Sequence, residues 1–187
     1  MKVPVRRGGQ FADDAGRSVL WSVADGARGR RWRWTVVDRR GALLAAHALE
    51  TGPDGRFLRL ESATAPGLLS LHREADGSLH GNRVGERGVD HLTVEAPAPA
   101  GVLIGGTALA VSILLGTMEG PAAKATLDVL EVFDDLGLRI VSATIRPTDD
   151  GGWEIRTNRA TRRAHLDADS LPDAAAHDGL TWPLERG

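Results

Sequence analysis

Between Glu95 and Glu119 the chain runs for 23 residues, APAPAGVLIGGTALAVSILLGTM, without a charge. Wound at 3.6 residues per turn, residues 107–118 of this run are apolar on every side. A helix with no polar face must be covered all round by the rest of the protein. Outside the run the chain reads as short strands, so the expected fold class is mainly β (α+β), a curved antiparallel β-roll or half-barrel wrapped around one central apolar helix. A membrane span is the competing reading, since ~20 apolar residues cross a bilayer. Gly105-Gly106, Pro97, Pro99 and the acidic flanks oppose it, and no stable membrane insertion is expected.

The strands announce themselves by alternation and by turn residues. Residues 18–24 and 31–37 form a hairpin pattern in which Trp32, Trp34 and Val36 share one face and Arg31, Arg33 and Thr35 the other. Further strands are expected over residues 42–49, 56–61, 68–75, 127–133, 138–146, 153–157 and 162–167, punctuated by Gly52-Pro53-Asp54-Gly55, Ala65-Pro66-Gly67 and Asp149-Asp150-Gly151-Gly152. Asp76-Gly77 predicts a two-residue hairpin loop with positive φ at both positions, which sets Arg73 opposite His80 and Leu71 opposite Asn82. Gly85-Glu86-Arg87-Gly88 then pairs Val84 with Val89 and Asn82 with His91. Gly120-Pro121 is expected to end the helix, and the stretch after residue 167 to be mostly loop, with Leu180, Trp182 and Leu184 capping an open end of the sheet.

With 187 residues the chain suits one domain, 1–187, that buries roughly 70% of its unfolded surface. Its first 17 residues, rich in Gly, Arg and Asp, predict a flexible arm. The absence of cysteine excludes disulfides, thiolate metal sites and cysteine nucleophiles. No apolar core follows the N-terminal arginines, so no secretory signal is read and a cytoplasmic location is expected. Residues 1–40 hold ten bases and four acids, a +6 segment before a −8 remainder, which sums to the net −2.

That basic segment, ARGRRWRWTVVDRR, is the strongest feature for nucleic acid, because guanidiniums hold phosphates and indoles stack on bases. Strand alternation sends the tryptophans to the face opposite Arg31 and Arg33, so no nucleic-acid partner is expected. The predicted register places Arg73, His80, Asn82, His91 and Thr93 on one face of the 68–95 meander with Leu69, Leu71, Val84 and Val89. Counting apolar residues leaves open which face is internal. His80 and His91 lack a third same-face ligand for a metal. The aspartate pairs at 134–135 and 149–150 read as turn makers, and the Gly-Gly pairs lack the context of a phosphate loop. No cofactor, metal or catalytic residue is assigned.

From residue 89 onward the order of features, GVDHLTVE, GTALAVSILLGTMEG, LDVLEVF, LRIVSATIRP, GGWEIRT and RAHLDADSLPDAAAHDGLTWPLE, resembles a family of glycolipid-binding proteins. The resemblance implies a spiral β-roll around a single helix, similar in shape to lipoprotein carriers. The expected function is a binding protein for a lipid, glycolipid or other hydrophobic small molecule, with Trp32, Trp34 and Trp153 along the walls and Arg73, His80, Asn82 and His91 at the polar end. Two alternatives stand beside it, an isomerase or cyclase that uses His80 or His91 inside the same cavity and an interaction domain with a filled core. The oligomeric state is left open.

Overall fold

The structure is a computed structural model that describes residues 4–13, 15–96, 99–105, 108–116, 124–177 and 179–184. The first part of the chain is an antiparallel meander: β1 (Arg6–Ala12), β2 (Ser18–Gly26), β3 (Gly29–Val37), β4 (Leu43–Thr51), β5 (Phe57–Thr64), β6 (Gly67–Arg73), β7 (Leu79–Gly85) and β8 (Gly88–Val94). There follow β9 (Gly101–Ile104), α1 (Ala108–Leu115), β10 (Ala125–Val132), β11 (Leu138–Pro147), β12 (Trp153–Arg156), β13 (Thr161–Ala164) and β14 (Leu180–Pro183). These make a nine-stranded sheet in the order β14-β1-β2-β3-β4-β5-β6-β7-β8 and a five-stranded sheet in the order β13-β12-β11-β10-β9. The expected mainly β architecture around one apolar helix is what the chain adopts.

The large sheet has a dry face and a wet face, as antiparallel sheets commonly do. Its inner face stacks side chains in cross-strand rows: Trp21, Trp34, His47, Ser62 and Leu69 in one, Val23, Trp32, Leu49, Leu60 and Leu71 in the next. The smaller sheet is curled into a half-barrel, and α1 lies against β9, β12 and β13. β9 runs parallel to β10, and parallel neighbours need a crossover, which α1 supplies. From Ala108 to Leu114 every helical residue is buried. One contiguous hydrophobic core contains side chains of both sheets and the helix.

The curl is held by a buried ion pair. Arg162 of β13 donates to the Gly105 carbonyl just after β9 at 2.9 Å and to Glu131 of β10 at 2.7 Å, linking one edge of the sheet to the two strands at the other. Glu131 is 3% exposed. Its Oε2 and Nη1 of Arg162 have no hydrogen-bond partner among the described residues.

Three expectations change. The predicted flexible arm contains β1, paired on one side with β2 and on the other with β14, which lies in the stretch expected to be loop. The Gly8-Gly9 pair is what permits this. A Cβ on Gly9 would stand 2.5 Å from the Trp21 ring on the inner face, and one on Gly8 would stand 2.8 Å from the Trp182 indole on the outer face. Residues 101–104 form a strand that alternation could not reveal, because all four are buried.

The third change is in register. Arg73 faces Leu79, His72 faces His80 and Leu71 faces Gly81. The loop spans residues 74–78, closed by Glu74 N–H to the Ser78 carbonyl at 2.9 Å, and only Gly77 takes positive φ, at 90°. Asp76 decides the loop type: its carboxylate accepts from the Ser78 N–H at 2.9 Å and the Ser78 hydroxyl at 2.7 Å. The one-residue shift turns Arg73, Leu69 and Leu71 to the inner face and leaves His80, Asn82, His91, Thr93, Val84 and Val89 on the outer one. The β7–β8 pairing is the predicted one. Thr107, Met118 and the Gly120-Pro121 stop lie outside the described residues.

Candidate functional site

At the end of the large sheet that carries the β2–β3 and β4–β5 turns, the two sheets and the C-terminal end of α1 border a half-open cavity of ≈ 840 Å³. Its apolar side is Trp153 at the start of β12 and Leu115 of the helix, backed by the nearly fully buried Trp32 on β3 and Ile113 of α1, with Pro4 and Pro53 at the margin. Its polar side is Asp25, Arg30, Thr51, Asp169 and Ser170. Tight turns make this approach feasible. Gly29 takes φ of +117°, and a Cβ there would stand 1.9 Å from the Thr51 carbonyl oxygen of the neighbouring hairpin.

Asp25 and Arg30 are direct cross-strand partners. Arg30 donates from Nε at 2.6 Å and from Nη2 at 3.1 Å, and the Val5 N–H adds a third bond to the same carboxylate at 2.9 Å. The guanidinium also lies 5.5 Å from the Trp32 ring centroid, a distance at which a cation is attracted to an indole face. On the opposite rim Ser170 has φ of 61° and its carbonyl accepts a hydrogen bond from the Ser112 hydroxyl of α1. Arg7 bonds both Asp167 and Asp169 there, at 2.5 and 3.3 Å. The cavity therefore combines the Trp153 and Leu115 side chains with ion-paired groups beside them, and its volume falls within the ~300–1,000 Å³ of small-molecule sites.

Of the residues selected from the sequence, Trp32 and Trp153 line this cavity. Trp34 is on the same inner face one row away, stacked on His47 with ring centroids 4.7 Å apart. Arg73 is inward but lies near the β6–β7 loop. His80, Asn82 and His91 sit together on the outer face, with His91 Nδ1 2.7 Å from Asn82 Oδ1, and do not meet the cavity. A second, shallower hollow of ≈ 520 Å³ lies on that outer face, floored by Ala46, Ala48 and Ala63 between Leu20 and Leu68.

Comparison with known proteins finds no matching family model, no matching curated protein and no matching solved structure.

Sequence reasoning missed the Asp25–Arg30 pair, although opposite charges flanking a two-residue turn in Asp25-Gly26-Ala27-Arg28-Gly29-Arg30 were there to be read. It also missed His47, whose place in the apolar phase of β4 beside Ala45 and Leu49 marks it as inward. Burial pushes the His47 imidazole down from 6.5 to about 4, against a smaller opposing pull from Asp134. Its ring shares a hydrogen bond with the buried Ser62 hydroxyl at 2.8 Å. Elsewhere, on the outside of the small sheet, Arg146 and Arg163 sit on Glu154 and hold its carboxyl below the usual range. Among the described residues no group of three or more His, Asp or Glu gathers as a metal site would, and no helix is long and apolar enough to cross a membrane.

Proposed function

We propose that the protein binds a hydrophobic small molecule of the lipid or glycolipid class in the ≈ 840 Å³ cavity between the sheets. The observation that carries this reading is the composition of the lining: Trp153 and Leu115 border the space, backed by the nearly fully buried Trp32 and Ile113, with Arg30 and Asp169 beside them. An acyl chain or other apolar body lies against the indoles and the helix end, gaining about 25 cal/mol for each Å² taken from water. A headgroup lies beside Arg30, which donates, and Asp169, which accepts. The resemblance read from the order of features after residue 89 implies the same class of ligand.

The isomerase or cyclase alternative rested on His80 or His91 beside the cavity, and both side chains belong to the outer face. Native mass spectrometry of protein purified from its own host tests the binding reading. A mass above the bare 19.9 kDa is expected, released by organic solvent as a lipid or glycolipid. Trp153→Ala is expected to weaken rebinding at least ~10-fold, the equivalent of about 1.4 kcal/mol. Recovery of the bare mass alone, with no uptake when delipidated protein is titrated with vesicle-derived lipids, would remove the proposal.

A further inference from the structure

A separate feature of the large sheet points beyond the cavity. β4 is its middle strand, with four strands on each side, and the outward side chains are arranged symmetrically about it. In the row through Ala46, Thr35 and Ala63 are the nearest neighbours, then Leu20 on β2 and Leu68 on β6. In the row through Ala48 the neighbours are Arg33 on β3 and Glu61 on β5, opposite charges equidistant from the centre. Leu20 and Leu68 are 39% and 45% exposed, and the small residues between them leave the ≈ 520 Å³ hollow. Arg33 has no carboxylate partner among the described residues, whereas Arg31 and Arg59 are paired with Glu50 and Glu61.

We propose that this face is a self-complementary dimer surface, on which a second copy of the chain packs about a two-fold axis running along β4. Such an axis lays β3 over β5 of the second copy and β2 over its β6. Leu20 then meets Leu68 of the second copy, Arg33 meets Glu61, and each contact occurs twice, as an isologous interface requires. At the ends of the sheet the same operation brings Leu180 toward Val89, both largely exposed.

The twist of the sheet favours this arrangement. A twisted sheet is a saddle, and rotation about an axis parallel to its central strand carries the saddle onto itself, so the two surfaces nest instead of rocking on a ridge. This is the geometry of aligned sheet packing. The alanine floor has a role as well, because it leaves room for two Arg33–Glu61 pairs between sheets held apart by the leucines. Nine strands at ~4.8 Å span roughly 40 Å, enough for the ~800 Å² per copy of a specific interface. In the row beyond Ala48, the axis sets Arg31 against Arg59 of the second copy, so the contact ends there and the charged row forms its rim.

Sedimentation equilibrium on the intact chain tests the proposal. A mass twice the 19.9 kDa of one chain is expected at micromolar concentration. Arg33→Glu and Glu61→Arg, each alone, place like charges in both pairs and are expected to raise the dimer Kd at least ~100-fold, since burying an unmatched charge pair is costly. Combining Arg33→Glu with Glu61→Arg is expected to restore the dimer. Both positions are on the wet face, and near-UV circular dichroism checks that each variant keeps the native fold. A monomeric wild type, a dimer indifferent to Arg33→Glu, or a combined variant that stays monomeric would each overturn the arrangement.

Discussion

Along β3 of the large sheet, buried and exposed side chains alternate, Trp32, Trp34 and Val36 inward and Arg31 and Arg33 outward. Along β9 and the second half of β10 they do not: all four residues of β9 and Val129 to Val132 are buried without a break. The first pattern belongs to a sheet with water on one side, the second to strands covered on both. The difference also governs where charge is tolerated. The large sheet sends Arg31 and Arg33 of β3 to the outer face, while the small one encloses Arg162 against Glu131 and uses the pair to hold its curl.

That contrast is sharpest in what the buried pair does for stability. Glu131→Ala leaves the Arg162 guanidinium enclosed without a counter-charge and is expected to cost about 3–5 kcal/mol, read from the shift in a urea unfolding midpoint. Replacing both, Glu131→Leu with Arg162→Met, is expected to recover most of that loss, because apolar groups of similar size need no compensation. A single-variant cost below ~1 kcal/mol would mean that water reaches the pair, and the contrast between the two regions would fail.

Covered and uncovered leucines lie close together on β5, where a bulge that leaves Leu58 without a cross-strand partner breaks the alternation. Leu60 is fully buried and Leu58 is 39% exposed. Leu60→Ala is expected to destabilise by about 2–5 kcal/mol through the cavity it leaves. Leu58→Ala is expected to stay within ~0.5 kcal/mol. Equal effects in thermal unfolding would show that the Leu58 side chain is covered in the folded monomer.

The inner face of the large sheet has its own titrating group. The His47 pKa is lowered on folding, from 6.5 to about 4, so the unfolded chain binds the proton more tightly. Its contribution is fully present above pH 6.5 and is lost as the pH falls through that value toward 4. The lowered pKa of Glu154 acts in the same sense at more acid pH. His47→Gln is expected to flatten the upper part of the acid limb, by at most about 3 kcal/mol on the conversion of ~1.4 kcal/mol per pKa unit. An acid-unfolding curve superimposable on that of the wild type would place the imidazole in contact with water.

Legibility in the sequence follows the same division. The half-wet strands around Trp32 and Trp34 alternate, and their faces were readable from residue types alone. The uncharged run announced a buried helix but concealed β9 within it, because a strand covered on both sides loses its period. Asp76-Gly77 suits two loops of different length, and the choice between them rests on a side-chain bond to Ser78 that spacing does not encode. The Gly8-Gly9 pair resembled a flexible tail until the two indoles lying on it were known. The cavity was half legible: its tryptophans stood out, whereas Asp169, Ser170 and the end of α1 reach it only through tertiary packing.

The β1–β14 pairing has a consequence in time. Strands β1 to β8 are sequential neighbours and can assemble as they are made, but the outer edge of β1 waits for a segment about 170 positions later. At ~5–20 residues per second of synthesis, that edge stays open for roughly 10 to 30 s. An unpaired edge is a template for other chains, and the outward Arg6 and Gln10 beside Gly8 give a passing strand charge and little apolar surface to hold. β14 therefore closes a vulnerable interval in the life of the nascent chain as well as a sheet.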